Sequence, residues 1–156
     1  MKKLLLLLGC LSLAGCLDVS SPENNPSDPA TETFASSLGV NISQMQKVTV
    51  ADQTVYYKDI SVGTGAQLST ITQTTTVVID YAGFLKDGSN FTNGEQQNQP
   101  FQLASAILGL QAGMVGMNVG GERLIVIPST LGYGPSGNGP VPPNSTLIFD
   151  VRLDNF

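Results

Sequence analysis

From Leu147 to Leu153 the side chains alternate strictly, with Leu147, Phe149, Val151 and Leu153 on one face and Ile148, Asp150 and Arg152 on the other. A period of two with one apolar face predicts a half-buried strand. The pattern recurs over 74–82, where Val77, Ile79 and Tyr81 oppose Thr76, Val78 and Asp80, and over 122–127, where Arg123, Ile125 and Ile127 face one way. A further β-rich run over 54–62 ends at Gly63-Thr64-Gly65, and Asp87-Gly88 marks a hairpin turn between Phe84-Leu85 and Phe91. A helical period fits one stretch, 106–114, with Ile107, Leu110 and Met114 on one side; Gly113, Gly116, Gly120 and Gly121 read as its stop. The expected architecture is α+β, a curved antiparallel sheet packed around one short helix. The sheet's apolar face needs a cover, and that helix is the regular element available to supply it.

The chain opens differently. Met1-Lys2-Lys3 is a basic start, followed by an apolar run of eleven residues from Leu4 to Ala14. That run is too short for a hydrocarbon layer of about 30 Å, so 1–15 reads as a signal peptide. Leu13-Ala14-Gly15-Cys16 resembles the lipobox of bacterial lipoproteins, in which the cysteine becomes a lipid-bearing N-terminus. The alternative is an ordinary secretory signal with an incidental cysteine. Cys10 leaves with the signal, so the mature chain holds one thiol, at Cys16, and no internal disulfide or thiolate metal site is available. Residues 16–47 are then expected to form a flexible tether, rich in Ser, Pro, Asn, Asp and Glu at its start, with a root-mean-square reach of about 30 Å. The folded domain is expected over 48–156.

Charge and composition exclude several chemistries. Without Lys2 and Lys3, five basic residues face twelve acidic ones, and no Lys/Arg cluster exists to hold phosphates, so nucleic acid is excluded as a partner. Histidine is absent, which removes a Ser-His-Asp triad, a histidine-ligated zinc site and the commonest general base. No metal or other cofactor is expected.

Five segments carry the chemistry that remains. They are Val77-Val78-Ile79-Asp80-Tyr81-Ala82-Gly83-Phe84-Leu85-Lys86-Asp87-Gly88, then Phe91, then Pro100-Phe101 with Gly109, then Met117-Asn118-Val119-Gly120-Gly121-Glu122-Arg123. The fifth runs from Ile127-Pro128 through Tyr133-Gly134 to Val141-Pro142-Pro143-Asn144-Ser145-Thr146-Leu147-Ile148-Phe149. Tyr133 lies between glycine-bearing turns, which is how a rigid loop presents a single phenol. In order and spacing these segments resemble the FKBP family of peptidyl-prolyl isomerases, over about 55–153.

The resemblance implies an FKBP-like fold and a pocket that accelerates cis-trans isomerisation of prolyl peptide bonds. Tyr81, Phe91, Tyr133 and Phe149 would be catalytic. Phe101, Ala106, Ile107, Leu110, Val141 and Thr92 would bind substrate, with Leu110 as the floor. Tyr133 would donate a hydrogen bond to the carbonyl before proline. Two positions depart from the family's habit: Thr92 stands where an aspartate is usual and Leu110 where a tryptophan is usual. The eight residues 134–141 leave no room for the apolar domain that some relatives insert there. The resulting expectation is a lipid-anchored, monomeric isomerase of the bacterial envelope, acting on proline-containing polypeptides during folding of exported proteins. With two membranes, Leu17 after the cysteine favours the outer one, facing the periplasm. A peptide-binding module with weak catalysis and an unrelated β-rich surface lipoprotein are the competing readings.

Overall fold

The computed structural model describes residues 25–156, so the signal peptide, Cys16 and the first part of the expected tether lie outside the described residues. Six strands, β1 (Gln46–Val50), β2 (Gln53–Ser61), β3 (Thr76–Leu85), β4 (Gln96–Gln102), β5 (Glu122–Ile127) and β6 (Leu147–Asn155), form one antiparallel sheet. Their order across it is β1-β2-β5-β6-β3-β4. One α-helix, α1 (Leu108–Met114), is present among the described residues. The expected α+β architecture is therefore present, and β5 has the bounds that its alternation predicts. The helix is shorter than the 106–114 expected, because Leu103–Ser105 forms a 3-10 turn and Ala106 and Ile107 are non-helical, with ψ of 166° and 144°.

Gly113 plays another part than the stop signal read from the sequence. It lies inside α1, one turn after Gly109, and both face β5. A Cβ at Gly109 would stand 2.1 Å from Ile127 Cγ2, and one at Gly113 would stand 2.4 Å from Ile125 Cγ2. The bare backbone is what lets the helix lie on the strand. Leu110 and Met114 then join Val77, Ile79, Ile125, Ile127, Phe149 and Val151 in the main core.

Arg123 fastens the end of this helix. It is 4 % exposed, its Nε donates to Asp59 Oδ1 at 2.6 Å, and its Nη1 donates to the carbonyls of Gly113 (2.9 Å) and Val115 (3.0 Å). The guanidinium also lies 4.2 Å from the centre of the Tyr57 ring. One side chain thus satisfies carbonyls that the helix end leaves unpaired.

The second face of the sheet overturns the tether expected over 16–47, at least from residue 25 onward. Phe34, Leu38, Val40 and Ile42 pack against Met45, Tyr56, Leu124, Val126 and Ile148, so 25–45 is a strap laid across the sheet. The ordered fold also begins before residue 48, since β1 starts at Gln46. Burying these apolar groups repays the ordering entropy that a polar tether could not. Under the strap, burial first and then the Asp28 charge push the Tyr56 phenol up. Beyond the strap the same face is acidic: Asp80, Glu95, Glu122 and Asp150 line a shallow groove with Arg152. Burial, then Glu122 and Glu95, raise the Asp150 carboxyl above the usual carboxylate range.

Candidate active site

The inner face of the sheet and the start of α1 enclose an apolar cavity of about 230 Å³. Ile79 and Tyr81 enter from β3, Phe101 from β4 and Phe149 from β6, while Ala106, Ile107 and Leu110 close the opposite side. Ser105 and Tyr133 complete the lining. Register explains the convergence, because Tyr81 pairs with Val151 and Gly83 with Phe149, which brings the rings of Tyr81 and Phe149 within 6.4 Å of each other.

Tyr133 reaches the cavity from a loop. A 3-10 turn, Ser129–Leu131, follows β5, and a second turn, Gly134–Ser136, follows the tyrosine at once. Gly134 has φ of +61°, which a side chain there would strain, and Pro135 fixes the next step. Among the described residues no hydrogen bond to either the Tyr81 or the Tyr133 hydroxyl is present. Both tyrosines are half-buried.

Of the ten site residues expected from sequence, Tyr81, Phe101, Ala106, Ile107, Leu110, Tyr133 and Phe149 line this cavity. Phe91, Val141 and Thr92 do not. Phe91 stands behind the wall, its ring edge-on to Phe149 at 5.5 Å and passing over Gly83, where a Cβ would come within 2.5 Å of it. Val141 is buried in the core and bonded through its backbone to Asn138. Thr92 is a loop fastener: its hydroxyl accepts from Gly83 N–H at 3.0 Å and donates to the Gly94 carbonyl at 2.8 Å. Sequence reasoning missed Ile79 and Ser105 as lining residues. Ile79 shares the face of Tyr81 and was legible as such, whereas nothing distinguishes Ser105 from other turn serines.

A larger cleft of about 760 Å³ opens between the strap, Leu85–Asp87 and the loop over 142–146. Its walls are mainly polar and carry Asp28, Glu32, Lys86 and Asp87, so it suits solvent better than a prolyl ring. The smaller cavity combines a mainly apolar lining with two tyrosines, the usual composition of a small-ligand site. Among the described residues no group of acidic, cysteine or histidine side chains could hold a metal.

Comparison with known proteins points to the same place. The family model described as FKBP-type peptidyl-prolyl cis-trans isomerase matches residues 68–154, which contain every cavity-lining residue. The isomerase FkpA of Escherichia coli K12 is 36 % identical over 124 residues, covering 78 % of this chain and 42 % of FkpA. A probable FKBP-type isomerase of Haemophilus influenzae is 43 % identical over 100 residues, covering 62 % of this chain and 40 % of that protein. The chain thus spans about two fifths of the length of these curated relatives. The crystal structure of Escherichia coli FkpA superposes with a TM-score of 0.59 at 34 % identity, covering 70 % of this chain and 50 % of that one. With its six-stranded antiparallel sheet, short helix and matched sequence, this chain belongs to the FKBP-type peptidyl-prolyl cis-trans isomerase family.

Proposed function

We propose that this chain catalyses cis-trans isomerisation of prolyl peptide bonds in polypeptides. The observation that carries the reading is the apolar cavity that Phe101, Ile107, Leu110 and Phe149 line together with the two tyrosines, Tyr81 and Tyr133. Rotation about a peptide bond is opposed by about 20 kcal/mol because the nitrogen lone pair is shared with the carbonyl. At proline the two planar ends are nearly equal in energy, so only the twisted state needs help. Twisting localises the lone pair and makes the amide less dipolar. A dry apolar wall therefore favours the twisted state over either planar one, and each 1.4 kcal/mol of such preference is about tenfold in rate. No proton moves and no bond is broken, which agrees with a chain that lacks histidine. In this reading Phe149, Phe101, Ile107 and Leu110 hold the prolyl ring. The Tyr133 hydroxyl donates to the carbonyl before proline and orients the bond.

A peptide assay following cis-to-trans conversion at low temperature tests the proposal. The chain accelerates conversion above the thermal rate, and Tyr133→Phe lowers kcat/KM by about tenfold, the worth of one hydrogen bond of about 1.4 kcal/mol. A thermal rate at micromolar protein would leave only the peptide-binding reading.

The place of action belongs to the same proposal. Cys16, following Leu13-Ala14-Gly15, is read as the lipidated residue of an envelope lipoprotein that assists exported proteins as a monomer. Among the described residues no helix is long and apolar enough to cross a membrane. Nine peptide steps lead from Cys16 to Asn25, the first described residue, and they span at most about 30 Å when fully extended. Asn25, from which the strap runs onto the sheet, would then stay within that distance of the lipidated residue. Cys16→Ala should move the protein from the membrane fraction to the soluble fraction; continued sedimentation with membranes would refute the anchor.

A further inference from the structure

The strap does more than cover an apolar face. That cover is supplied by Phe34, Leu38, Val40 and Ile42. Upstream of them, apart from a local turn at Asp28, the polar contacts of Ser27 and Glu32 go to the loops that deliver the aromatic residues of the site. Ser27 and Ser129 exchange two bonds: the Ser27 N–H donates to Ser129 Oγ at 2.9 Å, and the Ser129 N–H donates to Ser27 Oγ at 2.7 Å. Ser129 opens the turn that leads to Tyr133. Glu32, whose side chain is only 15 % exposed, pairs through Oε1 with Lys86 Nζ at 3.0 Å and accepts the Thr146 hydroxyl on Oε2. Lys86 begins the turn toward Phe91, and Thr146 is buried three residues before Phe149. The Ala35 N–H adds a bond to the Lys86 carbonyl at 2.8 Å.

All three attachments lie at loop roots and none enters the cavity. We propose that Ser27 and Glu32 are positioning residues of the isomerase site, bracing from outside the segments that aim Tyr133, Phe91 and Phe149. The proposal rests on the isomerase reading above. Its physical basis is that a site working by shape and desolvation loses rate when its walls shift by a fraction of an ångström. Glu32 is suited to the task because one carboxylate ties two loops that are far apart in sequence. Covering an apolar face would not require it.

The test uses the full chain in the prolyl-peptide assay, with folded fraction followed by circular dichroism at the assay temperature. Glu32→Ala removes the acceptor of the buried Thr146 hydroxyl and lowers kcat/KM of the folded protein by about tenfold. Glu32→Gln keeps an oxygen for Thr146 and restores kcat/KM to within about threefold of the unchanged chain. A merely structural contact would lower the unfolding midpoint and leave kcat/KM of the folded molecules intact, and that result would overturn the inference. Should Glu32→Ala not fold, Ser27→Ala asks the same question at the root of the Tyr133 loop: reduced kcat/KM supports bracing, and an unchanged value overturns it. An unmodified chain with only the thermal rate would overturn the isomerase reading and this inference together. An active chain with indifferent strap variants would overturn this inference alone.

Discussion

Arg123→Met lowers folding stability by about 3–5 kcal/mol, the usual cost of removing one partner from a buried ionic network. Methionine fills much of the arginine's volume but donates nothing, so the Gly113 and Val115 carbonyls and the Asp59 carboxylate lose three hydrogen bonds at once. It also loses the cationic contact with Tyr57, whose ring centre lies 4.2 Å from the guanidinium. The asymmetry between partners makes the prediction specific. Asp59→Asn keeps an oxygen that can accept from Arg123 Nε, leaves the guanidinium on both helix carbonyls, and changes a side chain that is 28 % exposed against 5 % for Arg123. It should therefore cost only about 1–2 kcal/mol. Arg123→Lys should fall between, because an ammonium cannot serve the acid and both carbonyls from one plane. Urea denaturation of the three variants gives the order, and for a domain of this size the methionine variant should melt about 10 °C lower. Equal losses for Arg123→Met and Asp59→Asn would mean that the ion pair, rather than the capping of α1, is what Arg123 contributes. Since α1 carries Leu110, the same substitution should also blur the floor of the cavity in any molecules that remain folded.

The chain announces some of this in its pattern and conceals the rest for physical reasons. β6 reads directly because its inner face is apolar at every second residue, and β5 because Ile125 and Ile127 alternate after Arg123; these apolar residues share the core with Leu110 and Met114 of α1. β4 does not read so, since its sequence, Gln96-Gln97-Asn98-Gln99-Pro100-Phe101-Gln102, has no apolar alternation. It is an edge strand, bonded to β3 alone, and an edge tolerates polar side chains and a proline that an inner strand would not. The strap looks like a tether in sequence for a related reason. Phe34, Leu38, Val40 and Ile42 follow no single period, being spread over two 3-10 turns and extended links, so only the tertiary contact reveals them as a buried face. Gly109 and Gly113 illustrate a third limit. A glycine that permits close helix-strand approach looks, in sequence, like one that ends a helix. The cavity aromatics were legible through family resemblance. Their division into lining and backing was not, because the Phe91 ring lies over Gly83 and leans on Phe149 instead of facing the cavity, a matter of register and turn geometry.

Phe149 stands where these lines meet, and Phe149→Ala should have the largest effect on the proposed activity. The residue is 4 % exposed and lines the cavity, and its ring centre lies 5.5 Å from that of Phe91, in a T-shaped pair, and 6.4 Å from that of Tyr81. Truncation removes the wall and leaves Phe91 and Tyr81 without the surface that fixes their tilt. Stability should fall by about 3–5 kcal/mol, as for other buried aromatics. In molecules that stay folded in the cold, kcat/KM should fall by well over tenfold, more than the 1.4 kcal/mol assigned to the Tyr133 hydrogen bond. Phe149→Leu separates the two effects. Leucine keeps most of the buried volume, so stability should drop by only about 1.5 kcal/mol, yet it supplies no flat face for a prolyl ring. A leucine variant that is nearly as stable as the original but much slower would assign the ring to the reaction as well as to the core. A fully active alanine variant would remove this cavity as the site, whatever the family to which the chain belongs.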